Sequence, residues 1–375
     1  MKIGITCYPT YGGSGVVATE LGKALADKGH SVHFISYALP TRLSQFYENI
    51  YYHEVELSSY PLFEYQLYSL SLASKMIEVI EYENLDLLHV HYAIPHAVSG
   101  YLAQQILRKK GINVKMITTL HGTDITLVGL EPSFLPLVKF SIEESDGVTA
   151  VSRFLSEKTL TNYHIDKDIN VIHNFVDTDV FKPVKNENFR KHIAPNGEKI
   201  LVHTSNFRKV KRVPDTIRIL HKIKEEVPAK LLLVGDGPDR SECERLARDL
   251  GLQKDVIFLG KQDGLVDIFG ASDLFLMPSQ SESFGLAALE AMSCGIPVIS
   301  SSVGGLPELI LHNETGYIAE IGDVDRMAKY AVSLFNNERK FLKFSAKSRE
   351  RAVSAFEKDK VIPQYEEYYE KILNS

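Results

Sequence analysis

Short apolar runs alternate with longer amphipathic stretches along the chain. In the first half, apolar runs of strand length lie at 2–7, 32–36, 50–55, 87–91, 115–120, 147–151 and 169–172. Apolar residues with helical spacing mark 15–28, 69–83, 95–109 and 133–144. This alternation of strands and helices predicts a parallel sheet that is covered by helices on both faces.

The same alternation starts again in the second half. Strand-like runs lie at 199–204, 230–235, 255–259, 273–277, 296–300 and 316–319, with helical stretches at 212–227, 238–250 and 285–294. We therefore predict an α/β protein with two Rossmann-like, doubly wound domains. The domains are expected at 1–172 and 199–355, with a polar linker at 173–198 and a final helix in 356–375. Ligands of such sheets bind at the carboxyl ends of the strands, so we expect the domains to face a central cleft.

The composition narrows the classes of function. The 375 residues carry a net charge of −6, which argues against a nucleic-acid-binding protein. The three cysteines, Cys7, Cys243 and Cys294, are far apart and suggest neither a disulfide framework nor a zinc site. The N-terminus lacks the pattern of a signal peptide, and no apolar run approaches the ~18 residues of a membrane span. We expect a cytoplasmic protein without stable membrane association, and the sequence leaves open a homo-oligomer.

Three motifs in the first half follow predicted strands. Gly12-Gly13-Ser14-Gly15 opens a helix, where backbone N–H groups can approach an anion, although a tight turn alone also explains these glycines. Their spacing does not match the Gly-x-Gly-x-x-Gly pattern of dinucleotide-binding domains. His91-Tyr92 and His121-Gly122-Thr123-Asp124 follow two further strands, whose ends lie at the ligand crevice of such sheets.

Two motifs in the second half carry charge. The run 205–212, Ser-Asn-Phe-Arg-Lys-Val-Lys-Arg, suits a diphosphate, and a solvated basic face is the alternative. Glu282 and Glu290 lie eight positions apart on either side of Gly285, which opens a helix. Amide groups at that helix start can bind phosphate, and a carboxylate at Glu290 can accept both hydroxyls of a ribose. Glu282, in the preceding loop, is expected to reach a sugar.

Two Asp-x-Asp sequences look like metal-binding motifs. Asp177-Thr178-Asp179 lies in the expected linker, and Asp323-Val324-Asp325 opens a predicted helix, where acidic residues favour the helix dipole. The spacing of the other His, Cys and carboxylate residues suggests no further site. We therefore expect no metal and no cofactor.

At Glu282 to Glu290 the sequence resembles the fourth family of retaining glycosyltransferases, which has the two-domain GT-B fold. The resemblance covers nearly the whole chain and also includes Gly12 to Gly15, His121, Asn174 to Asp177 with Phe181, Gly235 to Pro238, and Gly304 to Glu308. It implies a metal-independent hexosyltransferase that uses a UDP-sugar. Ile5 to Pro9, Leu120 to Asp124 and Ser205 to Arg212 are similar to members that transfer N-acetylglucosamine from UDP-N-acetylglucosamine to the hydroxyl of L-malate, the first step of bacillithiol biosynthesis.

The resemblance also implies roles for single residues. Lys211 would hold the donor diphosphate, while Glu282 and His121 would contact the transferred sugar. The other donor-binding residues would be Gly15, Asn206, Arg208, Lys261, Gln262, Ser283, Phe284, Gly285, Leu286 and Glu290, with the uracil near Lys261 and Gln262. The family usually has an arginine where Asn206 stands, so a second cation must come from elsewhere, such as Arg208. Ser14, Tyr92 and Thr119 lie at the crevice of the first domain and are expected to bind the acceptor.

Other functions stay open at this point. A related transferase could use an inositol phosphate, a lipid carrier or another sugar as acceptor. A nucleotide-sugar epimerase of the same two-domain type is a second candidate, and it would turn over without any acceptor. A non-catalytic module that binds sugar nucleotides is a third.

Overall fold

The computed structural model describes residues 1–10, 12–57 and 66–375. The chain divides into two compact units. Unit 1 comprises Met1–Asn174 and Asp359–Ser375, and unit 2 comprises Phe175–Lys358.

Unit 1 is built on a sheet of seven parallel strands. The strands are β1 (Lys2–Thr6), β2 (Ser31–Ser36), β3 (Ile50–Glu54), β4 (Leu87–His91), β5 (Lys115–Leu120), β6 (Gly147–Ala150) and β7 (Asn170–Val171). The helices are α1 (Gly13–Asp27), α2 (Tyr68–Glu83), α3 (Val98–Lys109), α4 (Leu135–Glu144) and α5 (Arg153–Tyr163), with short helical turns at Ala93–Ala97, Thr123–Leu127 and Val128–Leu130. The strand order is β3-β2-β1-β4-β5-β6-β7, so the order switches direction between β1 and β4.

Unit 2 repeats this plan with six parallel strands. The strands are β8 (Lys199–Thr204), β9 (Ala229–Val234), β10 (Val256–Gly260), β11 (Leu274–Met277), β12 (Val298–Ser301) and β13 (Gly316–Ala319). The helices are α6 (Glu187–Ile193), α7 (Val213–Ile223), α8 (Arg240–Asp249), α9 (Leu265–Ala271), α10 (Leu286–Ser293), α11 (Leu306–Leu309), α12 (Val324–Phe335) and α13 (Glu338–Ala355). The order is β10-β9-β8-β11-β12-β13, with the switch between β8 and β11. Residues 175–198, expected as a linker, lie within unit 2 and include α6.

The last helix, α14 (Lys358–Leu373), belongs to unit 1 from Asp359 onward. Tyr369 is fully buried, and its hydroxyl lies 2.7 Å from His89 Nδ1 in β4. Tyr368 reaches β6, where its hydroxyl accepts a hydrogen bond from Val148 N over 2.9 Å. The final helix is therefore part of the core of the first unit.

The central strands explain why the sequence pattern is so clear. All five residues of β4 are buried, and five of the six residues of β5 are buried. Parallel strands that are covered on both faces appear in a sequence as short continuous apolar runs, as they do here. The prediction of two doubly wound, Rossmann-like units is confirmed. Since ligands of such sheets bind where the strand order switches, the loops after β1, β4, β8 and β11 are the candidate sites.

Among the described residues, no helix combines the length and apolarity that a membrane crossing requires.

Candidate functional site

The loop after β8 in unit 2 carries the basic run. Lys209–Lys211 form one helical turn, and Arg212 takes a left-handed conformation, with φ of 49°, just before α7. The Lys211 ammonium group donates to Glu282 Oε1 over 2.6 Å, and Ser279 Oγ donates to the same oxygen over 2.9 Å. The cation and the carboxylate that the sequence singled out are thus paired beside the switch in strand order.

Two glycines after β12 lie against the loop that carries Glu282. Gly304 has φ of 57°, and a Cβ atom there would lie 1.7 Å from the carbonyl oxygen of Glu282. Gly305 N donates to that oxygen over 3.0 Å, and a Cβ atom on Gly305 would lie 2.3 Å from the carbonyl oxygen of Ser283. Any side chain at these positions would displace the loop, so the glycines fix its position.

Helix α10 follows Gly285, which has φ of 101° and is the N-cap. No acidic residue lies in the first turn of α10. Its first amide groups have no intrahelical partner and carry partial positive charge, which suits an anion. The Phe284 ring is 1% exposed and contacts the Phe356 ring edge-on, so this side chain belongs to the core. Glu290, just over one turn into the helix, is 4% exposed.

The other expected donor-binding residues of unit 2 lie around the same sheet, whereas Gly15 lies in α1 of unit 1. Arg208 is exposed and Asn206 is half-buried. The Oδ1 atom of Asn206 is itself buried and has no hydrogen-bond partner among the described residues. Lys261 and Gln262 are exposed after β10, and Gln262 Nε2 donates to Leu259 O over 2.7 Å. Ser283 and Leu286 are half-buried at the start of α10.

Both Asp-x-Asp sequences have structural partners. Asp177 Oδ2 accepts a hydrogen bond from Lys358 Nζ over 2.7 Å, and Asp177 Oδ1 accepts from the backbone N of Asp179 over 2.9 Å. Asp323 caps α12 by accepting from Arg326 N over 3.0 Å, and Asp325 pairs with Lys222 at 2.6 Å. These contacts account for the two motifs without a metal ion.

In unit 1, α1 begins beside the end of β1. Among the described residues no side chain caps α1, and its first turn contains no acidic residue. A Cβ atom on Gly15 would lie 2.5 Å from the carbonyl oxygen of Tyr8, so this turn requires glycine. The Tyr92 hydroxyl donates to Ser14 Oγ over 2.8 Å. Two hydroxyl groups therefore lie at a helix N-terminus, an arrangement that suits an anionic ligand.

His121 lies beside this pair and is held by a second histidine. His121 Nε2 and His91 Nδ1 are 2.7 Å apart, and the His121 and Tyr92 rings are 5.3 Å apart between centroids. His96 Nδ1 donates to the carbonyl oxygen of His91. His121 is 8% exposed, and burial lowers its pKa to about 3. The imidazole is therefore neutral at neutral pH, and Nδ1 is the nitrogen that remains available to a ligand.

Asp124 connects the loops after β4 and β5. Its Oδ2 atom accepts from Ala93 N, and its Oδ1 atom accepts from Gly122 N, both over 2.9 Å. Burial raises the pKa of Asp124 to about 6, although these backbone N–H groups favour the charged form. The Asp124 carboxylate thereby holds the backbone just after His91 and just after His121.

Thr119, which is expected to bind the acceptor, is a buried residue of β5. Its hydroxyl is fully buried and lies 2.7 Å from His89 Nε2 and 2.6 Å from Thr149 Oγ1. These contacts hold Thr119 beside β4 and β6, and its role toward the acceptor stays a prediction.

Sequence reasoning missed two contributors to these sites. Ser279 is the second residue after β11, and its hydroxyl donates to the Glu282 carboxylate. His96 Nδ1 donates a hydrogen bond to the carbonyl oxygen of His91, and His96 Nε2 lies 3.1 Å from the Tyr68 hydroxyl. The strand-end rule that singled out His121 also applies to Ser279, whereas nothing in the sequence connects Tyr68 with His96.

Two family descriptions match the chain. Residues 11–180 match Glycosyltransferase Family 4, and residues 184–352 match Glycosyl transferases group 1. The chain is 50% identical to the N-acetyl-alpha-D-glucosaminyl L-malate synthase of Bacillus anthracis, over 100% of this chain and 97% of that protein. It is 30% identical to an uncharacterized glycosyltransferase, MJ1607, of Methanocaldococcus jannaschii, over 81% and 80% of the two chains.

Solved structures agree on the fold. Anabaena HepE, in a complex with UDP-glucose, superposes with a TM-score of 0.84 at 22% identity, over 99% of this chain and 100% of that chain. The sucrose-phosphate synthase of Thermosynechococcus elongatus superposes with a TM-score of 0.81 at 21% identity, over 100% and 99% of the two chains.

Proposed function

Because the chain belongs to glycosyltransferase family 4, we propose that it transfers N-acetylglucosamine from UDP-N-acetylglucosamine to the hydroxyl group of L-malate. This reaction begins bacillithiol biosynthesis. The observation that carries the proposal is the 50% identity, along the entire chain, to a protein of that name.

The donor half of the reaction is assigned to unit 2. The Lys211 ammonium group and the free amide groups at the start of α10 offer positive charge to the diphosphate, and Arg208 is the second cation. Glu290 accepts the ribose hydroxyls, and Glu282 binds the N-acetylglucosamine ring. Asn206, Ser283, Leu286 and the backbone of Phe284 complete the donor contacts, with Lys261 and Gln262 beside the uracil.

The acceptor half is assigned to unit 1. L-Malate is a dianion, and the uncapped N-terminus of α1 favours one of its carboxylates. Ser14 Oγ and the Tyr92 hydroxyl lie 2.8 Å apart. Both hydroxyl groups can donate hydrogen bonds to the carboxylate oxygens of malate. His121, neutral and held by His91, offers Nδ1 to the transferred sugar.

The proposed chemistry keeps the α configuration of the donor. The bond between the anomeric carbon and the phosphate oxygen breaks, and the malate hydroxyl oxygen attacks from the same face. The proton of that hydroxyl passes to the departing phosphate oxygen, so UDP leaves with it. Preorganised cations and amide groups stabilise the negative charge that develops on the diphosphate, and no metal ion is required.

Product analysis with and without acceptor tests this function. The metal-stripped protein, in excess EDTA, is incubated with UDP-N-acetylglucosamine, either alone or with L-malate. We expect UDP and a glycoside of malate only when malate is present, and at least tenfold less UDP with Lys211→Met. A new nucleotide sugar in the absence of malate would identify an epimerase instead. Turnover that returns only with added Mg²⁺ or Mn²⁺ would contradict the metal-independent mechanism.

A further inference from the structure

A histidine-rich cluster lies in unit 1 at a place that the proposed transferase reaction does not use. One ligand atom each from His33, His53 and Glu83 lies within 4.8 Å of the other two. It is the one such cluster found in the part of the chain that the structure describes.

The sheet register brings the two histidines together. His33 in β2 pairs with Tyr51 in β3, and Ile35 pairs with His53. Because side chains alternate along a strand, His33, Ile35, Tyr51 and His53 share one face of the sheet. Ile35 packs against α2 on that face, and Glu83 is the last residue of α2. The helix end therefore brings a carboxylate beside two imidazoles.

The separation of the two imidazole nitrogens is close to the spacing of metal ligands. His33 Nδ1 and His53 Nε2 are 3.0 Å apart. Two ligand atoms of a tetrahedral zinc ion, each about 2.0–2.1 Å from the metal, are separated by about 3.3 Å. A small rotation of one imidazole, with the shared proton moved to the other nitrogen of the ring that carries it, therefore changes the hydrogen-bonded pair into a pair of zinc ligands. Ser31 Oγ lies 3.0 Å from His33 Nε2, and this contact orients the first ring through its other nitrogen, as partners of metal-bound histidines do.

The charge around the cluster also favours a cation. The C-terminal end of α2 adds partial negative charge. The other charged groups nearby are Lys2, Lys75 and Glu78, of which Lys75 and Glu78 pair with each other at 2.8 Å. Lys2 Nζ donates to the backbone oxygen of Glu83, which leaves the carboxylate for a metal.

We propose that His33, His53 and Glu83 form a binding site for one zinc ion, with the fourth position open to water. Two imidazoles and a carboxylate form a ligand set that zinc accepts, whereas Mg²⁺ prefers oxygen ligands alone. The site joins the β2–β3 edge of the sheet to the end of α2 and has a structural role. Glu83 precedes β4 and Tyr92 follows it, so this ligand lies at the end of β4 opposite to the residues assigned to the acceptor.

Zinc binding to the metal-stripped, full-length protein tests this site. We measure Zn²⁺ affinity by competition with a chromogenic chelator, and we record the visible spectrum with Co²⁺ as a geometric probe. The wild-type protein should bind one equivalent of Zn²⁺, give the intense absorption of a four-coordinate Co²⁺ site, and show no binding of Mg²⁺ at the same concentrations.

The variants separate this site from weak surface binding. His53→Gln and Glu83→Gln should each lower Zn²⁺ affinity by roughly tenfold or more, since even the loss of a group that merely orients a ligand has an effect of that size. His221→Gln on α7 and Glu81→Gln on α2 are matched controls outside the cluster and should bind like the wild type. All four variants should release UDP at the wild-type rate, which also shows that they fold. A wild-type protein without stoichiometric zinc, or equal affinity in His53→Gln and His221→Gln, would overturn the proposal.

Discussion

Lys211 Nζ and Glu282 Oε1 are 2.6 Å apart, and the side chains are 23% and 10% exposed. The pair therefore lies partly out of water, where an ion pair is screened less than on the surface. Ser279 holds the same carboxylate oxygen, and Gly305 holds the backbone of Glu282. Glu282 thus positions the ammonium group that we assign to the donor diphosphate, and the nucleotide must share that cation with it.

Replacement of Lys211 by methionine should impair catalysis strongly. Without the ammonium group, the charge that develops on the leaving diphosphate loses its nearest preorganised cation, and kcat/KM should fall by roughly 10²–10³. Lys209→Met removes an exposed cation from the same basic run and is the matched control. Steady-state UDP release measures both variants, and an equal loss in the two would contradict a specific role for Lys211.

Glu290→Gln should weaken UDP binding more than it slows the chemistry of bound substrates. A hydrogen bond to a charged group contributes about 1.5–3 kcal/mol, so the affinity for UDP should fall about tenfold or more. Glu242→Gln on α8 is an exposed control and should leave the affinity unchanged. Calorimetry of UDP binding that finds wild-type affinity in Glu290→Gln would refute the ribose assignment.

Tyr92→Phe should raise the KM for malate and leave UDP affinity nearly intact. The change removes a hydroxyl group that lies 2.8 Å from Ser14 Oγ at the start of α1. One neutral hydrogen bond is worth about 0.5–1.5 kcal/mol, so the KM should rise by roughly two- to tenfold. Tyr101→Phe on α3, whose ring contacts Phe140, is the control. A larger effect on UDP than on malate would remove Tyr92 from the acceptor site.

Buried histidines should make the protein less stable in mild acid. Burial lowers the pKa of His89 and His121 to about 3 and that of His203 to about 4. Between about pH 6.5 and pH 4, the unfolded chain binds protons at these histidines and the native chain does not, so stability falls as the pH falls. In this range, each such histidine lowers the free energy of unfolding by about 1.4 kcal/mol for every pH unit of acidification. The pKa of Asp124 is raised to about 6, so this carboxylate takes up a proton in the native state first. Its effect on stability has the opposite sign and cancels that of about one histidine.

Urea unfolding midpoints between about pH 7 and pH 5 check this expectation. His203→Gln should flatten the pH dependence, because it removes one of the buried groups, whereas the exposed His221→Gln should not. A midpoint that does not change over this range in the wild type would show that the histidines take up protons in the native state.

The sequence predicted the sheets well because their strands are buried on both faces. The strand at 115–120 has the same bounds in the structure as in the prediction. Helix α13 was missed because only Phe344, Ser348 and Ala352 of its 18 residues are buried, which leaves a weak amphipathic pattern. Strand β5 is buried on both faces of the sheet. Its sequence therefore does not show toward which face the side chain of Thr119 points.

The sites depend on contacts between distant parts of the chain. Lys211 and Glu282 are 71 residues apart, and their pairing follows from the switch in strand order and not from any local pattern. The His33–His53 pair, 20 residues apart, matches no metal-binding spacing. The donor residues are therefore assigned from the family resemblance, whereas the histidine cluster follows from the register of β2 against β3.

The identity of the acceptor is the central claim, and a comparison of acceptors tests it most directly. UDP release from UDP-N-acetylglucosamine is measured side by side with L-malate, D-malate, lactate and an inositol phosphate, and the anomeric coupling of the product is read by NMR. Loss of one carboxylate leaves donor groups unpaired, at about 1–3 kcal/mol per group, so lactate should be roughly ten- to hundredfold slower than L-malate. We expect the highest kcat/KM with L-malate and an α-linked product. A higher kcat/KM with lactate or inositol phosphate, or a β-linked product, would contradict this expectation.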